Sequence, residues 1–164
     1  DFGANLVQDY FAFGTGNPDT TALSQTTVNT GEWVHVAGVR VRGNGIVRVL
    51  VNGHTESTLV STNRGALDGA DPPSLGAHII GDVVYQKFQG LVDEVRLWNV
   101  ARSEAEISQN MHQRLNGDEP GLVGYWRFDD GQGTVATDSS PNHADATLGA
   151  GSLASAPQWV AFSP

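Results

Sequence analysis

Two closely spaced turns most constrain how this chain folds. Residues 32–41 and 46–51 are rich in β-branched side chains and are separated by Gly-Asn-Gly at 43–45. A second turn, Asn-Gly at 52–53, leads into residues 54–60. Gly and Asn tolerate the positive φ angles that tight hairpin turns need. The sequence therefore predicts three consecutive antiparallel strands.

The middle strand of this meander shows which face is buried. Val47, Val49 and Val51 share one face, because side chains alternate along a strand. Arg48 lies on the other face and marks it as the wetter one. With 20 Gly in 164 residues, many tight turns between short strands are expected, so the composition favours an all-β domain.

One helix is predicted after the strand region. Ser103 and Glu106 form a capping-box pattern, and Asn-Gly at 116–117 gives a stop signal. The apolar positions at helical spacing are Ile107, Met111 and Leu115.

Residues 88–98 also have strand character. Their alternation places Leu91, Asp93, Val95 and Leu97 on one apolar face, with Glu94 and Arg96 on the other. Three of the four tryptophans have apolar neighbours within predicted strands and are expected to be core or half-buried: Trp33, Trp98 and Trp126.

Charge and composition exclude several classes of function. Nine Lys plus Arg against 18 Asp plus Glu give a net charge of −9, which repels nucleic acid and anionic lipid. No apolar run is long enough to span a bilayer, so no membrane insertion is expected. The first five residues lack the features of a secretion signal, and with no Cys there is no disulfide or thiolate metal site.

Four sequence blocks resemble a known family: EWVHVAG at 32–38, VLVNG at 49–53, FQGLVDEVRLWN at 88–99 and ARSEAEI at 101–107. In this order they are similar to the laminin G-like, pentraxin-related members of the concanavalin A-like superfamily, over residues 5–110. The resemblance implies an all-β jelly-roll β-sandwich with one short amphipathic helix.

The resemblance also carries a departure. The family's opening strands would precede Phe2 and are absent, whereas residues 124–142 resemble the segment that usually opens such a domain. Three explanations are open: a fragment of a longer protein, a C-terminal segment that folds back, or completion by another chain. We predict residues 1–117 as the sandwich core with the helix. Residues 118–164 are predicted to pack on it or to open a following domain.

The sequence does not favour catalysis. Glycoside hydrolysis needs two carboxylates across one cleft, but Asp93 and Glu94 are adjacent and would point to opposite faces. The five His are scattered, without a metalloprotease or nucleophile-elbow pattern. No catalytic residue is predicted.

Calcium is the candidate cofactor, because Ca²⁺ prefers carboxylate and amide oxygens in flexible loops. One segment concentrates such groups: Asp129, Asp130, Asp138, Asn142 and Asp145. The alternative is that these side chains cap nearby backbone N–H groups in Asx turns. A weaker candidate segment carries Asp68, Asp71 and Asp82.

Sugar-binding surfaces present aromatic rings to solvent, and Tyr85 and Trp159 are the candidate ligand-binding residues. We predict a non-catalytic recognition or adhesion module of a secreted or surface-exposed bacterial protein that binds a glycan or matrix protein. The alternatives are an assembly subunit that self-associates by strand exchange and a polysaccharide-cleaving enzyme.

Overall fold

The computed structural model describes residues 2–7, 9–15, 20–66, 74–80, 83–151 and 156–161. The chain divides into two compact units, residues 1–72 with 101–113 and residues 73–100 with 114–164. This division differs from the expected boundary between residues 117 and 118. Residues 73–100 group with the C-terminal segment because a strand within them pairs with a strand that follows residue 121.

The first unit contains two antiparallel sheets of three strands each. One has the order β1-β2-β3, with strands β1 (Phe2–Val7), β2 (Tyr10–Thr15) and β3 (Thr21–Thr27). The other has the order β4-β5-β6, with strands β4 (Val36–Val41), β5 (Ile46–Val51) and β6 (His54–Val60). The second sheet is the predicted meander.

The turns of the meander adopt the backbone that their residues suggest. Asn52 and Gly53 have φ angles of 48° and 78°, as a hairpin turn of two positive-φ residues requires. In the first turn, Gly45 is the residue with positive φ, 70°. The prediction for Trp33 was wrong, because β4 begins only at Val36 and the Trp33 side chain is 50% exposed in the preceding loop.

The sheets of the first unit enclose a hydrophobic core. Phe11 and Ala22 from one sheet pack with Val47 and Val49 from the other. Val47, Val49 and Val51 are at most 4% exposed, which confirms the predicted inner face. Burying each of these side chains contributes about 1.5–3 kcal/mol. Leu50 is buried too, because the pairing of β5 with β6 shifts register between Val49 and Leu50.

Helix α1 (Glu104–Asn110) also belongs to the first unit. The predicted capping box is present, with Ser103 and Glu106 bonded reciprocally. The predicted length was wrong, since the helix ends at Asn110 and not near residue 116. The Gln113 N–H bonds to the Asn110 carbonyl, which closes a tighter turn. The Leu115 N–H donates to a tyrosine hydroxyl rather than continuing the helical ladder.

In the described residues of the second unit, the strands form three antiparallel pairs. They are β7 (Ala77–Ile80) with β8 (Val83–Lys87), β9 (Val95–Trp98) with β10 (Leu122–Trp126), and β11 (Val135–Ala136) with β12 (Ala146–Thr147). A 3-10 turn, Leu148–Gly151, follows. Strands with one short helix make the all-β architecture that the sequence predicts. None of the helical segments in the described ranges is long and apolar enough to cross a membrane.

Strand β9 is shorter than the sequence predicts. Glu94 has a φ angle of 53°, which an extended strand cannot accommodate, so the strand begins at Val95. The expected inward face was wrong as well: Leu91 and Leu97 are each 53% exposed, and Asp93 is exposed.

Candidate functional site

Tyr125 is the centre of the second unit. It is fully buried and packs with Leu115, Leu122 and Trp98. Its hydroxyl donates to the Glu94 carboxylate at 2.6 Å and accepts the Leu115 N–H at 3.2 Å. Burial raises the pKa of Tyr125, and the bond to Glu94 raises it further. Tyr125 therefore stays neutral, and its hydroxyl links the segment that contains Glu94 to the segment that contains Leu115.

Two arginines stack on the Tyr125 ring. The guanidinium carbons of Arg96 and Arg127 lie 5.4 and 4.9 Å from the ring centroid, within cation–π range. Arg96 forms an ion pair with Glu94 at 2.7 Å. Arg127 donates to the carbonyls of Leu115 and Asn116 at 2.9 and 3.0 Å. Both positive charges are thus engaged within the unit.

Two residues with left-handed backbone lie at one end of the β9–β10 pair. Glu94 (φ 53°) comes just before β9, and Phe128 (φ 55°) follows β10 by two residues. Because Trp126 pairs with Val95, these residues leave the sheet at the same end. Positive φ in a bulky residue such as Phe costs about 1–3 kcal/mol, and such strain clusters at functional sites.

This end of the strand pair gathers an acidic and aromatic surface. We call it the rim and define it by five residues: Asp93, Arg114, Phe128, Asp129 and Trp159. Arg114 and Asp129 form an ion pair in which both side chains are more than half exposed. Such an exposed pair contributes at most about 1 kcal/mol.

Asp93 is the rim residue with a raised pKa. Burial raises the pKa of this carboxyl, and the charges of Glu94 and Asp129 raise it further. A hydrogen bond from the Glu94 N–H, at 3.0 Å, and the charge of Arg114 act in the opposite direction. The rim therefore carries a negative potential that Arg114 only partly offsets.

Trp159 supplies the aromatic part of the rim. Its indole N–H donates to the Gly133 carbonyl at 3.0 Å, and its ring lies 6.4 Å from the Phe128 ring at a tilt of 48°. The residue is half-buried. The other predicted ligand-binding residue, Tyr85, lies in β8, and its side chain is outside the described part of the chain.

Asp138 has a structural environment. Its buried carboxylate accepts N–H groups from Tyr125, Ser140 and Ala144, each at 2.8 Å, and the Ser140 hydroxyl at 2.8 Å. Burial alone would raise the pKa of Asp138, but these bonds outweigh it and lower the pKa. The carboxylate therefore organises the loop that follows β11.

The other predicted calcium ligands bond to different groups. Asp145 accepts the Asp138 N–H at 2.9 Å, Asp130 accepts the Thr137 N–H at 3.2 Å, and Asn142 donates to the Val123 carbonyl at 2.9 Å. Across the described ranges, no three His, Cys, Asp or Glu side chains come close enough to hold a metal ion. Asp130 and Asp145 thus accept backbone N–H groups, as the Asx-turn alternative describes. Calcium binding stays an untested prediction.

The second acidic segment, with Asp68, Asp71 and Asp82, falls outside the described residues. Sequence reasoning missed the roles of Arg114 and Phe128, because nothing in the sequence marks a positive φ at a phenylalanine. The adjacency of Phe128 to the acidic run at 129–130 was the one signal available.

Comparison with solved structures gives a candidate carbohydrate-binding protein from Bacteroides ovatus ATCC 8483. It is 27% identical, with a TM-score of 0.67 over 85% of this chain and 40% of that protein. This chain thus spans two fifths of that protein's length. An S-layer domain-containing protein from Clostridium thermocellum ATCC 27405 is 21% identical, with a TM-score of 0.43 over 61% of this chain and 49% of that one.

No curated protein matches the chain. A laminin G family model, described as the concanavalin A-like lectin/glucanases superfamily, matches residues 3–108. The matched segment includes both sheets of the first unit, strand β9 and most of helix α1. The chain therefore belongs to the laminin G-like branch of the concanavalin A-like lectin/glucanases superfamily.

Proposed function

We propose that this chain is a non-catalytic carbohydrate-binding module of a secreted or cell-surface protein, and that it binds glycan at the rim. The observation that carries this proposal is the likeness to the candidate carbohydrate-binding protein of Bacteroides ovatus, together with membership of a superfamily that contains lectins. Both point to sugars as the ligand class.

The chemistry of the rim supports glycan binding there. A sugar ring presents C–H groups on its faces, which pack on an aromatic ring, and hydroxyl groups at its edge, which bond to carboxylates. Trp159 offers a ring fixed by its bonds to neighbouring groups. Asp129, which follows Phe128 in the chain, and Asp93, which interacts electrostatically with Asp129, offer exposed carboxylate oxygens at the same rim.

The carboxylates of this unit are poorly arranged for hydrolysis. Glu94 is engaged by both Arg96 and Tyr125, and Asp129 is paired with Arg114. A retaining or inverting mechanism needs one carboxylate free as nucleophile or base opposite an acid. Asp93, whose pKa is raised, has no free opposite partner of this kind among the rim residues.

A glycan array tests the proposal. We expect the purified chain to bind a subset of glycans, and Trp159→Ala to reduce that binding at least tenfold. Trp33→Ala is the matched control, because Trp33 is also a partly exposed tryptophan but lies in the first unit. Thermal melts of both variants establish that they remain folded.

Two results would contradict the proposal. If no glycan on the array is bound, the chain is not a carbohydrate-binding module. If Trp159→Ala and Trp33→Ala reduce glycan binding equally, the rim is not the binding site. For catalysis, incubation with polysaccharides and detection of new reducing ends is decisive. Product that disappears in Asp93→Asn would identify an enzyme instead.

Self-assembly is a second candidate, and one observation favours it. Five large apolar side chains in or near β9 are 40–53% exposed: Phe88, Leu91, Val92, Leu97 and Val100. Exposed apolar side chains that form one continuous patch often mark a surface that a partner covers. Light scattering after size exclusion decides this point, since a concentration-independent monomer would exclude assembly through this surface.

A further inference from the structure

The charges around Trp159 indicate which glycans the rim accepts. The loop that holds Trp159 through the Gly133 carbonyl also carries Asp129 and Asp130, and Asp93 lies near enough to Asp129 to interact electrostatically. All three of these carboxylates are exposed.

The cations of the same unit do not offset this charge at the surface. Arg96 is 12% exposed and paired with Glu94, and Arg127 is directed at backbone carbonyls. Both stack on the buried Tyr125 ring. Arg114 is the one exposed cation of the rim, and its ion pair with Asp129 leaves one net negative charge there, that of Asp93.

We propose that the rim selects uncharged glycans and excludes polymers that carry carboxylate or sulfate groups. This inference rests on the proposed function, because it concerns the ligand class of the same site. A carboxylate about 7 Å from an anionic group in water weakens binding about threefold. With Asp129 paired to Arg114, the net charge left by Asp93 accounts for a discrimination of about threefold at low salt.

Matched polymer pairs test the inference. The probes are hydroxyethylcellulose, pullulan and glucomannan, each compared with the same polymer after its primary alcohols have been oxidised to carboxylates. In affinity electrophoresis, we expect at least one uncharged polymer to retain the protein. We expect the Trp159→Ala variant not to be retained by that polymer. The oxidised partner of that polymer should bind about threefold more weakly in low salt, and added salt should narrow this difference in affinity.

Charge variants separate the rim from the overall field of the protein. We expect Asp93→Asn with Asp129→Asn to recover most of the binding to the oxidised polymer. The control, Glu32→Gln with Asp118→Asn, removes the same net charge at exposed positions outside the rim and should recover little. Equal recovery in both double variants would overturn the inference.

The failures of the two proposals are distinguishable. If the oxidised polymers bind as tightly as the uncharged ones and Trp159→Ala abolishes both, the proposed selection of uncharged glycans is wrong. The proposed carbohydrate binding at the rim is then still supported. If no polymer of either kind is retained, carbohydrate binding fails and the selection fails with it.

Discussion

Glu56 in β6 holds Thr26 in β3 by two hydrogen bonds to one carboxylate. The Thr26 N–H donates to Glu56 Oε2 at 2.9 Å, and the Thr26 hydroxyl donates to Oε1 at 2.6 Å. The Gln25 N–H adds a third bond at 2.7 Å. Because β3 and β6 belong to different sheets, this carboxylate ties the two layers of the first unit together along one side.

We expect Glu56→Gln to destabilise the first unit by about 1–2 kcal/mol, because a neutral amide accepts fewer and weaker bonds than a carboxylate. Urea denaturation followed by tryptophan fluorescence measures the change. Glu32→Gln serves as the control, since Glu32 is exposed in a loop and should change stability by less than 0.5 kcal/mol, about the usual effect of a surface substitution.

Stability should also depend on pH through Glu56. Burial alone would raise the pKa of Glu56, but the bonds from Thr26 and Gln25 outweigh it and lower the pKa below 4.5. A carboxylate with a lowered folded pKa stabilises the protein above the unfolded value, and the contribution is lost as pH falls through the folded pKa. We expect unfolding free energy to decrease below about pH 4.5. A smaller slope is expected in Glu56→Gln, and an unchanged slope would show that Glu56 plays no part.

Gly38 is a position where no side chain fits. A Cβ atom built there would clash with the ring of Phe13, which packs against the core of the first unit. We expect Gly38→Ala to cost about 1–3 kcal/mol, as overpacking of a core does. Gly43→Ala is the control, because its Cβ would meet nothing within 4 Å. Thermal melts compare the two, and equal Tm values would contradict the packing.

Asp138 should be among the most sensitive acidic positions of the second unit. Asp138→Ala removes the acceptor of three N–H groups and one hydroxyl, so we expect a loss of about 3 kcal/mol or more. Asp118→Ala, at an exposed site, should cost less than 0.5 kcal/mol. Near-equal denaturation midpoints for the two variants would show that the hydrogen bonds of Asp138 do not stabilise the second unit.

The same bonds predict how the protein responds to metal removal. Since the Asp138 carboxylate already accepts four donors, we expect a chelator to leave the Tm unchanged. A cation bound only to the folded state would raise stability with concentration. A Tm that rises with added Ca²⁺ and falls with chelator would therefore support a calcium site after all.

Local signals predicted the elements with local causes. The three-stranded meander follows from alternating valines and from turns whose Asn and Gly residues accept positive φ, and the start of α1 follows from the capping box at Ser103. Beyond the helix, the Leu115 N–H donates to the hydroxyl of Tyr125, ten residues further along the chain, and not to a helical carbonyl. The spacing of apolar residues along the chain could not indicate that a tyrosine hydroxyl would accept this N–H group.

The candidate site divides in the same way. The sequence identified Trp159 as an aromatic candidate and marked Asp138 either as a metal ligand or as a cap of backbone N–H groups. Its composition could not decide between these two roles, because the donors to Asp138 come partly from Tyr125 on another strand.

The sequence by itself determined the all-β class, the buried valine face and the two hairpin turns, since each depends on side-chain alternation or on the φ preferences of neighbouring residues. Only the tertiary structure decided that Glu94 and Phe128 adopt left-handed backbone at one end of β9 and β10. The pairing of these distant strands brings Asp93 close to Asp129, and long-range pairing is a property that no local pattern encodes.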